Sequence, residues 1–303
     1  MPKVTNNLDG YLLFYKKSGV TSFESLYQVK KALGTGKVGH TGTLDKFAEG
    51  LLVLLTGKYT SLVPLFDDLD KTYIGTIHFG VETDTLDPEG NVIRTEPVPT
   101  RERIMESLQS FVGIQSQLPP AYSAIHVDGK RAYERVRAGE DVKMEPRTIT
   151  IHSIEALSFE DNRLTVAVHC SKGTYIRSLA RDIGIMTGSC AYLEKLRRIG
   201  VGPFSVESAV MAEGGTAGFS AIKDALKPVN MDLFHTMGYP ALQLDDFDVA
   251  YILHGKPLNP LLKGYQLPKG TRLLGLFDKN NTLRALVEKG KYSWSYKHVY
   301  LVV

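Results

Sequence analysis

The sequence is poor in cysteine and contains no long apolar run. Its only two cysteines, Cys170 and Cys190, form no C-x-x-C pair and no cluster with the spacing of a zinc site. We therefore expect buried free thiols in a cytoplasmic protein, and no metal. The longest aliphatic run, Leu51–Leu55, falls far short of the roughly 20 residues of a membrane span and predicts a core segment. The start of the chain, MPKVTNNLDG, lacks the apolar segment of a secretory signal.

A chain of 303 residues with 43% hydrophobic and 23% charged residues is typical of a folded globular protein with a sizeable core. It is long enough for one large domain with a small one beside it. The net charge of +3 is spread unevenly, because residues 163–203 include seven basic and two acidic residues, whereas residues 66–106 include four basic and ten acidic ones. Two interpretations fit this spread: solvated faces of mixed sign, or basic faces that meet a polyanion.

Hydrophobic periodicity predicts an α+β fold with a mixed, mostly antiparallel sheet flanked by helices. The predicted strands lie at 10–17, 71–80 and 191–204, with a long hairpin over 147–170 that turns at Asp161-Asn162. The predicted helices lie at 22–33, with Ser22 as its N-cap and Gly34 as its end, at 100–113 and at 174–188, with a short one broken at Pro64. An Asp128-Gly129 turn, a glycine-rich linker at 212–220 and a β-rich C-terminal region with a helix at 247–254 complete the prediction.

A G-x-G-x-x-G pattern formed by Gly34, Gly36 and Gly39 raises the hypothesis of a nucleotide-binding loop. A dinucleotide site needs a strand before the glycines and a helix after them, whereas here a helix precedes Gly34 and the polar run HTGTLD follows Gly39. A P-loop needs Ser or Thr after Gly-Lys, but Val38 follows Lys37. Neither motif is met, and we expect the last two glycines to lead the chain into and out of a strand.

The run HTGTLD exposes one imidazole and one carboxylate, those of His40 and Asp45. Taken alone, this aspartate is typical of a residue that caps a helix, here one starting near Phe47. A glycosidase would instead pair Asp45 with Glu49, but a four-residue spacing on a helix leaves only one of the two carboxylates well placed. The residues alone leave the role of Asp45 open.

Several longer motifs, in a fixed order, link the chain to a known family. They are GHTGTLDKFAEGLL (39–52), DKTYIGTIHFG (70–80), TDTLDPEG (83–90), LPPAYSAIHVDGKRAYERVRAG (118–139), CSKGTYIRSLARDIG (170–184) and LRRIGVGPF (196–204). Over residues 10–205 the chain resembles the bacterial tRNA pseudouridine-55 synthases, the TruB family. The C-terminal stretch resembles the PUA-like domain of that family more weakly, through HGKPL (254–258) and its strand pattern.

The resemblance implies the pseudouridine synthase fold, with a catalytic domain over 1–238, an RNA-gripping insertion at about 122–147, and a PUA-like RNA-binding domain over 239–303. It implies that the T-loop uridine at position 55 of tRNA is flipped out and isomerised to pseudouridine. Nothing is oxidised or added, so no cofactor is expected. The expected partner is the T-arm and elbow of tRNA, bound by a monomer, with no membrane involved.

The resemblance also assigns roles to individual residues. The catalytic set is Asp45 as nucleophile, Arg177 as its ion-pair partner, and Tyr73 as the platform for the flipped base and a candidate base for a sugar or C5 proton. The substrate-binding set is Lys16, His40, Asp87, Tyr175 and Leu196 around the site, with Lys130 and Arg131 in the insertion. Without the resemblance, Tyr73, Tyr175 and Leu196 fit core packing equally well.

Lys17 and Lys46 depart from the family, which usually has proline at both positions. Each change removes the φ restraint of proline and adds a charge near Asp45.

Two other classes of protein remain as alternatives to the enzyme. One is a tRNA-binding or RNA-folding module whose catalysis is secondary or lost, and the other is a nicotinamide or phosphate enzyme, which the failed glycine motifs argue against.

Overall fold

The structure is a computed structural model that describes residues 8–123, 125–127, 129–211 and 216–301. Three sequence predictions fall partly outside these ranges: the absence of a signal in the first residues, the turn at Asp128, and the first part of the 212–220 linker. No helix in the described ranges is both long and apolar enough to cross a membrane.

Strands and helices alternate irregularly along the chain. The strands are β1 (Gly10–Lys16), β2 (Val38–Thr41), β3 (Glu49–Thr56), β4 (Lys71–Phe79), β5 (Val81–Thr83), β6 (Val92–Thr95), β7 (Gly113–Gln117), β8 (His126–Val127), β9 (Lys130–Arg131), β10 (Arg147–Glu160), β11 (Arg163–Cys170), β12 (Ala191–Val201), β13 (Phe204–Ser205), β14 (Ala241–Gln243), β15 (Leu273–Phe277), β16 (Leu283–Lys289) and β17 (Trp294–Val299). The helices are α1 (Ser22–Leu33), α2 (Val63–Asp67), α3 (Arg101–Leu108), α4 (Ala132–Arg137), α5 (Ile176–Met186), α6 (Thr216–Asp224), α7 (Met231–Thr236), α8 (Asp246–Leu253) and α9 (Leu258–Leu262), with 3-10 turns at Gly57–Leu62, Gln109–Phe111 and Val206–Ser208.

One large sheet contains most of the strands up to β13, while β5-β6 and β8-β9 form two small sheets of their own. Its strand order is β1-β3-β12-β4-β11-β10-β7, with β2 added beside β3 and β13 beside β12. The β3–β12 pairing is parallel, and all the other pairings of this sheet are antiparallel. A second sheet, of order β14-β15-β16-β17, occupies the C-terminal part. The predicted α+β class, with a mostly antiparallel sheet and a small β-rich C-terminal region, is confirmed.

The burial of the large sheet follows from the order of apolar residues along its strands. Strand β4 alternates buried and half-buried residues along its whole length, so that one of its faces is core. Strand β3, which contains the run Leu51–Leu55, is buried on both faces, as expected for a core segment. Helices α3 and α5 pack with the core face of β4, and helices α1 and α6 pack against β1 and β3.

Local sequence signals place several element boundaries correctly. The hairpin of β10 and β11 turns at Asp161 and Asn162, whose φ angles of +47° and +65° suit these two residue types. Helix α1 ends at Gly34 in the left-handed conformation, with φ +63°. Thr100 caps α3 by accepting a hydrogen bond from the Arg103 N–H. The two cysteines are buried free thiols, as predicted.

Two predictions around the segment that contains Asp45 are wrong. The N-cap of α1 is Thr21, which forms a capping box with Glu24, whereas Ser22 points inward and is buried. No helix starts near Phe47, because the chain makes a short bend there and enters β3 at Glu49. The helical geometry assumed for the glycosidase alternative is therefore absent.

Three further predictions are corrected by the fold. Gly39 lies within β2 rather than after it. Pro64 lies in the first turn of α2, where proline is tolerated, so it begins that helix instead of breaking one. The second half of the predicted 212–220 linker is helical, since α6 begins at Thr216 and buries Ile222 against β1 and β3.

Candidate active site

Asp45 lies in the loop between β2 and β3, and this loop is fastened to the start of α1. The Ser22 hydroxyl accepts a hydrogen bond from the Leu44 N–H at 2.9 Å and donates one to the Leu44 carbonyl at 3.0 Å. On the other side, the Ala48 N–H donates to the Asp45 carbonyl at 3.2 Å. The backbone is thus held on both sides of the Asp45 side chain.

Arg177, from the first turn of α5, holds two carboxylates at once. Its Nε and Nη2 lie 2.9 and 3.0 Å from the two carboxylate oxygens of Asp45, and its Nη1 lies 3.2 Å from Asp87 Oδ2. The two Nη atoms also donate to the carbonyls of Thr85 and Tyr122, at 2.9 and 3.0 Å. The Nη2 contact is a hydrogen bond and the Nε contact an ion pair, and together they hold the Asp45 carboxylate against the guanidinium in one orientation.

The two partners of this ion pair differ in exposure. The Arg177 side chain is 5% exposed and the Asp45 side chain is 36% exposed, so the carboxylate alone faces the solvent. Burial raises the pKa of the Asp45 carboxyl, and the adjacent Arg177 guanidinium opposes that rise by favouring the charged form. An oriented carboxylate that is open on one side has the arrangement of a nucleophile that a substrate can approach.

Asp87 reaches Arg177 from a strained loop. Its Oδ1 accepts hydrogen bonds from the Thr85 hydroxyl at 2.6 Å and the Glu89 N–H at 3.0 Å, which leaves Oδ2 for the guanidinium. The preceding residue, Leu86, is buried with φ +61°, a conformation that a leucine rarely adopts. Strain of this kind persists where the surrounding contacts over-determine it, as they do beside a functional site.

Tyr73 and Leu196 lie on neighbouring strands and belong to one core cluster. The same cluster contains Leu44 and Ala48, which flank Asp45 in the sequence. Tyr73 is opposite Arg198 in the β4–β12 pairing, and Leu196 is two positions before Arg198 on the same face. Burial raises the pKa of the Tyr73 phenol, and the positive charge of the nearby Arg198 guanidinium offsets part of that rise.

Arg198 is a buried cation that the sequence analysis did not single out. Its side chain is 1% exposed, and it donates from Nε to the Leu51 carbonyl at 2.7 Å and from Nη2 to the Gly42 carbonyl at 3.0 Å. Gly50, at φ +111°, has no room for a Cβ against the Arg198 backbone, which explains how β3 approaches β12 so closely. The period of two along β12, which places Arg198 on the face of Leu196, was the signal available for finding it.

Lys16 and His40 lie on β1 and β2, and Lys16 contacts the loop that carries Asp45. Lys16 is fully buried, and its Nζ donates to the carbonyls of Ala48, Lys17 and Lys46, at 2.5, 3.2 and 3.3 Å. Burial lowers the pKa of Lys16 to about 8, with Asp45 acting in the opposite direction. Burial, together with the Arg198 charge, also lowers the pKa of His40, which favours a neutral imidazole.

Tyr175 is the residue before α5, and its position depends on a second residue that sequence reasoning missed. The side-chain amide of Gln117 accepts a hydrogen bond from the Tyr175 N–H at 2.8 Å and donates one to the Tyr175 carbonyl at 3.1 Å. Burial raises the pKa of the Tyr175 phenol. No local motif marks Gln117, because its partner is 58 residues away in sequence.

The remaining basic residues named in the sequence analysis are exposed at the surface. Lys130 and Arg131 form the exposed strand β9 of a small hairpin between β7 and β10, outside the contacts that hold Asp45. Lys46 is exposed, with its Nζ 3.7 Å from Glu89 Oε1, and Lys17 is exposed as well. The structure therefore brings Asp45, Asp87 and Arg177 into direct contact, whereas Lys130 and Arg131 lie at the surface.

The fold is that of the pseudouridine synthases, the class of protein to which the following comparisons assign the chain. A mostly antiparallel sheet presents a half-open aspartate, which a buried arginine holds, near a buried tyrosine. In overall structure the chain is similar to a chain in the crystal structure of a Cbf5-Nop10-Gar1 complex, with a TM-score of 0.70 and 25% sequence identity over 97% of this chain and 85% of that one. It is likewise similar to a chain of an H/ACA RNP bound to a substrate RNA containing 2'-deoxyuridine, with a TM-score of 0.70 and 22% identity over 100% and 88% of the two chains.

Sequence comparison narrows this class to one family. Residues 30–176 match the N-terminal domain of the TruB family of pseudouridylate synthases. The chain is 42% identical over 274 residues to the tRNA pseudouridine synthase B of Azoarcus sp. (strain BH72), covering 89% of this chain and 90% of that protein. It is 46% identical over 208 residues to the tRNA pseudouridine synthase B of Borreliella burgdorferi (strain ZS7), covering 68% and 74%. The chain belongs to the TruB family, and the predicted resemblance is confirmed.

Proposed function

We propose that this protein is a tRNA pseudouridine synthase that isomerises the uridine at position 55, in the T-loop, to pseudouridine. The observation that carries the proposal is the Asp45 carboxylate, oriented by Arg177 and open to solvent beside Tyr73. Family membership supports it, because both relatives named above are tRNA pseudouridine synthases B.

The reaction breaks the N1–C1′ bond, turns the uracil and joins C5 to C1′. A proton leaves C5 and N1 gains one, so substrate and product have the same atoms and the same oxidation state. Asp45 supplies the nucleophile, which attacks either C1′ of the ribose or C6 of the base. Arg177 keeps the carboxylate ionised, and Asp87 holds the guanidinium in place from its other side.

The other residues bind and orient the base and the RNA. The target base leaves the T-loop stack and is received by Tyr73, since stacking on an aromatic ring contributes about 1–3 kcal/mol per base. Leu196 and Tyr175 line the pocket, His40 occupies space that the flipped base vacates, and Lys16 braces the loop of Asp45. Lys130 and Arg131 contact the phosphate backbone from the insertion.

The proposal extends to the setting of the reaction. A monomer binds the T-arm and elbow of tRNA in the cytoplasm, with residues 1–238 as the catalytic domain and 239–303 as a PUA-like RNA-binding domain. The net positive charge of the C-terminal part, nine basic against five acidic residues from Ala241 onward, favours such contact with RNA.

The test uses unmodified tRNA transcribed with tritium at C5 of uridine, so that isomerisation releases tritium. We expect release by the wild type, none from a matched transcript with cytidine at position 55, and a loss of at least about a thousandfold in rate for Asp45→Asn. Release by the variant at the wild-type rate would exclude Asp45 as the nucleophile. A wild type that binds the transcript but never releases tritium would instead favour the binding module without catalysis.

A further inference from the structure

A second cluster of reactive side chains lies away from Arg177 and takes no part in the proposed reaction. It consists of Asp70, His152 and His169, whose ligand-type atoms all lie within 4.8 Å of one another. The His152 Nε2 is 3.1 Å from Asp70 Oδ2, and the two imidazole rings have centroids 4.7 Å apart. We propose that these three residues bind a divalent transition-metal ion of the zinc type.

A β-bulge creates this arrangement. In the β10–β11 pairing, Ile151 is opposite Cys170 and Ser153 is opposite His169, so His152 is the extra residue of the bulge. A bulge places two side chains against one on the partner strand and redirects the extra one. His152 is thereby brought over His169 and toward Asp70, which directly precedes β4.

The backbone of the three residues is held by strand pairing and by a hydrogen bond. His169 lies on β11, between β10 and β4, and is paired with Ser153 on one side and Thr72 on the other. The Asp70 carbonyl accepts a hydrogen bond from the Gly202 N–H at 2.7 Å. The chelating atoms therefore come from three backbone segments that are already fixed relative to one another, which limits the entropy lost on binding.

The donor set and its spacing suit zinc. Two imidazoles and one carboxylate form a ligand set known from zinc sites that keep a fourth position for water. Bonds of about 2.0–2.1 Å put neighbouring ligands of a tetrahedral ion roughly 3.4 Å apart. The 3.1 Å between His152 Nε2 and Asp70 Oδ2 is close to this value, and all three ligand atoms lie within 4.8 Å of one another. The side chains of His152 and Asp70 are 37% and 43% exposed, so an ion can enter from solvent and keep a water ligand.

The test is isothermal titration calorimetry of the untagged full-length chain, freed of metal by a chelator, with zinc chloride. We expect one equivalent to bind the wild type and the matched control His254→Ala, whose histidine is exposed in the turn after α8. Loss of a ligand in His152→Ala, His169→Ala or Asp70→Asn is expected to weaken binding by at least about 100-fold, since even outer-shell changes cost 10–100-fold. Cobalt(II) gives a second readout, through a visible absorption band that the three variants lose.

Two outcomes would overturn the site: a wild type that binds no zinc, or ligand variants that bind it as tightly as the control does. Far-UV circular dichroism checks that each variant is folded. Should His169→Ala fail to fold, because its side chain is half-buried between strands, Asp70→Asn decides the question, since it changes one side-chain oxygen and leaves the backbone bond to Gly202 in place.

Discussion

Asp45 is a carboxylate whose surroundings act on its pKa in opposite directions. Burial and the negative charge of Asp87 raise that pKa, whereas the guanidinium of Arg177 lowers it. A nucleophile must be ionised, so the rate falls as the pH drops through the pKa of Asp45. Because this pKa lies above the ordinary range, the acid limb of the pH–rate profile is expected at a higher pH than for an exposed aspartate.

Replacing Asp87 by Asn removes one of the effects that raise this pKa. The expected result is an acid limb displaced to lower pH, because Arg177 stays fixed by Asp45 itself and by the carbonyls of Thr85 and Tyr122. The measurement is the single-turnover rate of tritium release between pH 4.5 and 8. Asp224→Asn, the same change on the exposed surface, should leave the limb where it is. A limb that moves to higher pH in Asp87→Asn would contradict the assigned direction of coupling.

The burial of Lys16 makes the free energy of unfolding depend on pH. Its pKa is lowered to about 8 in the folded protein, below the ordinary value of 10.5. Between these values the unfolded chain binds more protons than the folded one, so this residue makes stability rise with pH, by at most about 1.4 kcal/mol per pH unit. We expect Lys16→Met to lose this slope in urea unfolding between pH 8 and 9.5. Lys17→Met, an exposed neighbour, should keep it; equal slopes in all three proteins would rule the effect out.

At the scale of single residues, the sequence identifies side chains that lie in linear motifs. It misses those that only the tertiary structure buries or brings together. Asp45, Asp87 and Arg177 each lie in a recognisable run, and the structure brings all three into contact. Arg198 is adjacent to Arg197 on β12, and the two differ only in that the period of the strand puts Arg198 on the buried face of Leu196. His152 meets His169 through a bulge, which no spacing rule of zinc motifs anticipates.

At the scale of elements, helix α1 has two adjacent N-terminal residues with separate tasks. Thr21 caps the helix, while Ser22 holds the Leu44 backbone beside Asp45. We expect Thr21→Ala to lower the free energy of unfolding by about 1 kcal/mol and leave catalysis unchanged. Ser22→Ala should lower the free energy of unfolding as well and, in addition, reduce the turnover rate by about tenfold, since a small displacement of the nucleophile slows the reaction.

The comparison of the two variants is its own control, because both remove one hydroxyl from the same turn. Urea unfolding gives the stability, and tritium release at saturating tRNA gives the rate. If Ser22→Ala lost stability but kept the full rate, the bonds to Leu44 would serve the fold alone. If Thr21→Ala slowed catalysis as much, α1 as a whole would position the loop.

Element prediction succeeded where the local signal and the tertiary structure agree. The Asp161–Asn162 turn and the left-handed Gly34 have backbone conformations that their residue types favour. Prediction failed after Asp45, where a good helix cap is followed by β3, because the pairing of β3 with β1 and β2 outweighs a single local preference. It also failed at Thr216, where burial of Ile222 stabilises a helix that a glycine-rich stretch disfavours.

At the scale of the whole molecule, the C-terminal sheet shares a core with the large one. Phe277 of β15 and Leu286 of β16 belong to the same buried cluster as Leu51 of β3, and Phe234 packs edge-on against Phe277 at 5.1 Å. Tyr300 adds a hydrogen bond to Ser61 at 2.8 Å. Because neither sheet buries this surface alone, the two parts of the chain are expected to unfold together.

Trp294, the only tryptophan, lies on β17 and makes this expectation measurable. Its fluorescence reports on the C-terminal sheet, whereas far-UV circular dichroism is dominated by the rest of the chain. The two urea transitions should coincide, as they do for a single cooperative unit. Phe277→Ala should shift both curves by the same amount, about 3–5 kcal/mol, since it empties a buried site shared by both sheets. Trp294→Phe, followed by circular dichroism alone, checks that the probe leaves the transition unperturbed. Two separate transitions, with Phe277→Ala shifting only the fluorescence curve, would mean that the C-terminal sheet folds as an independent domain and that the shared cluster contributes little to either part.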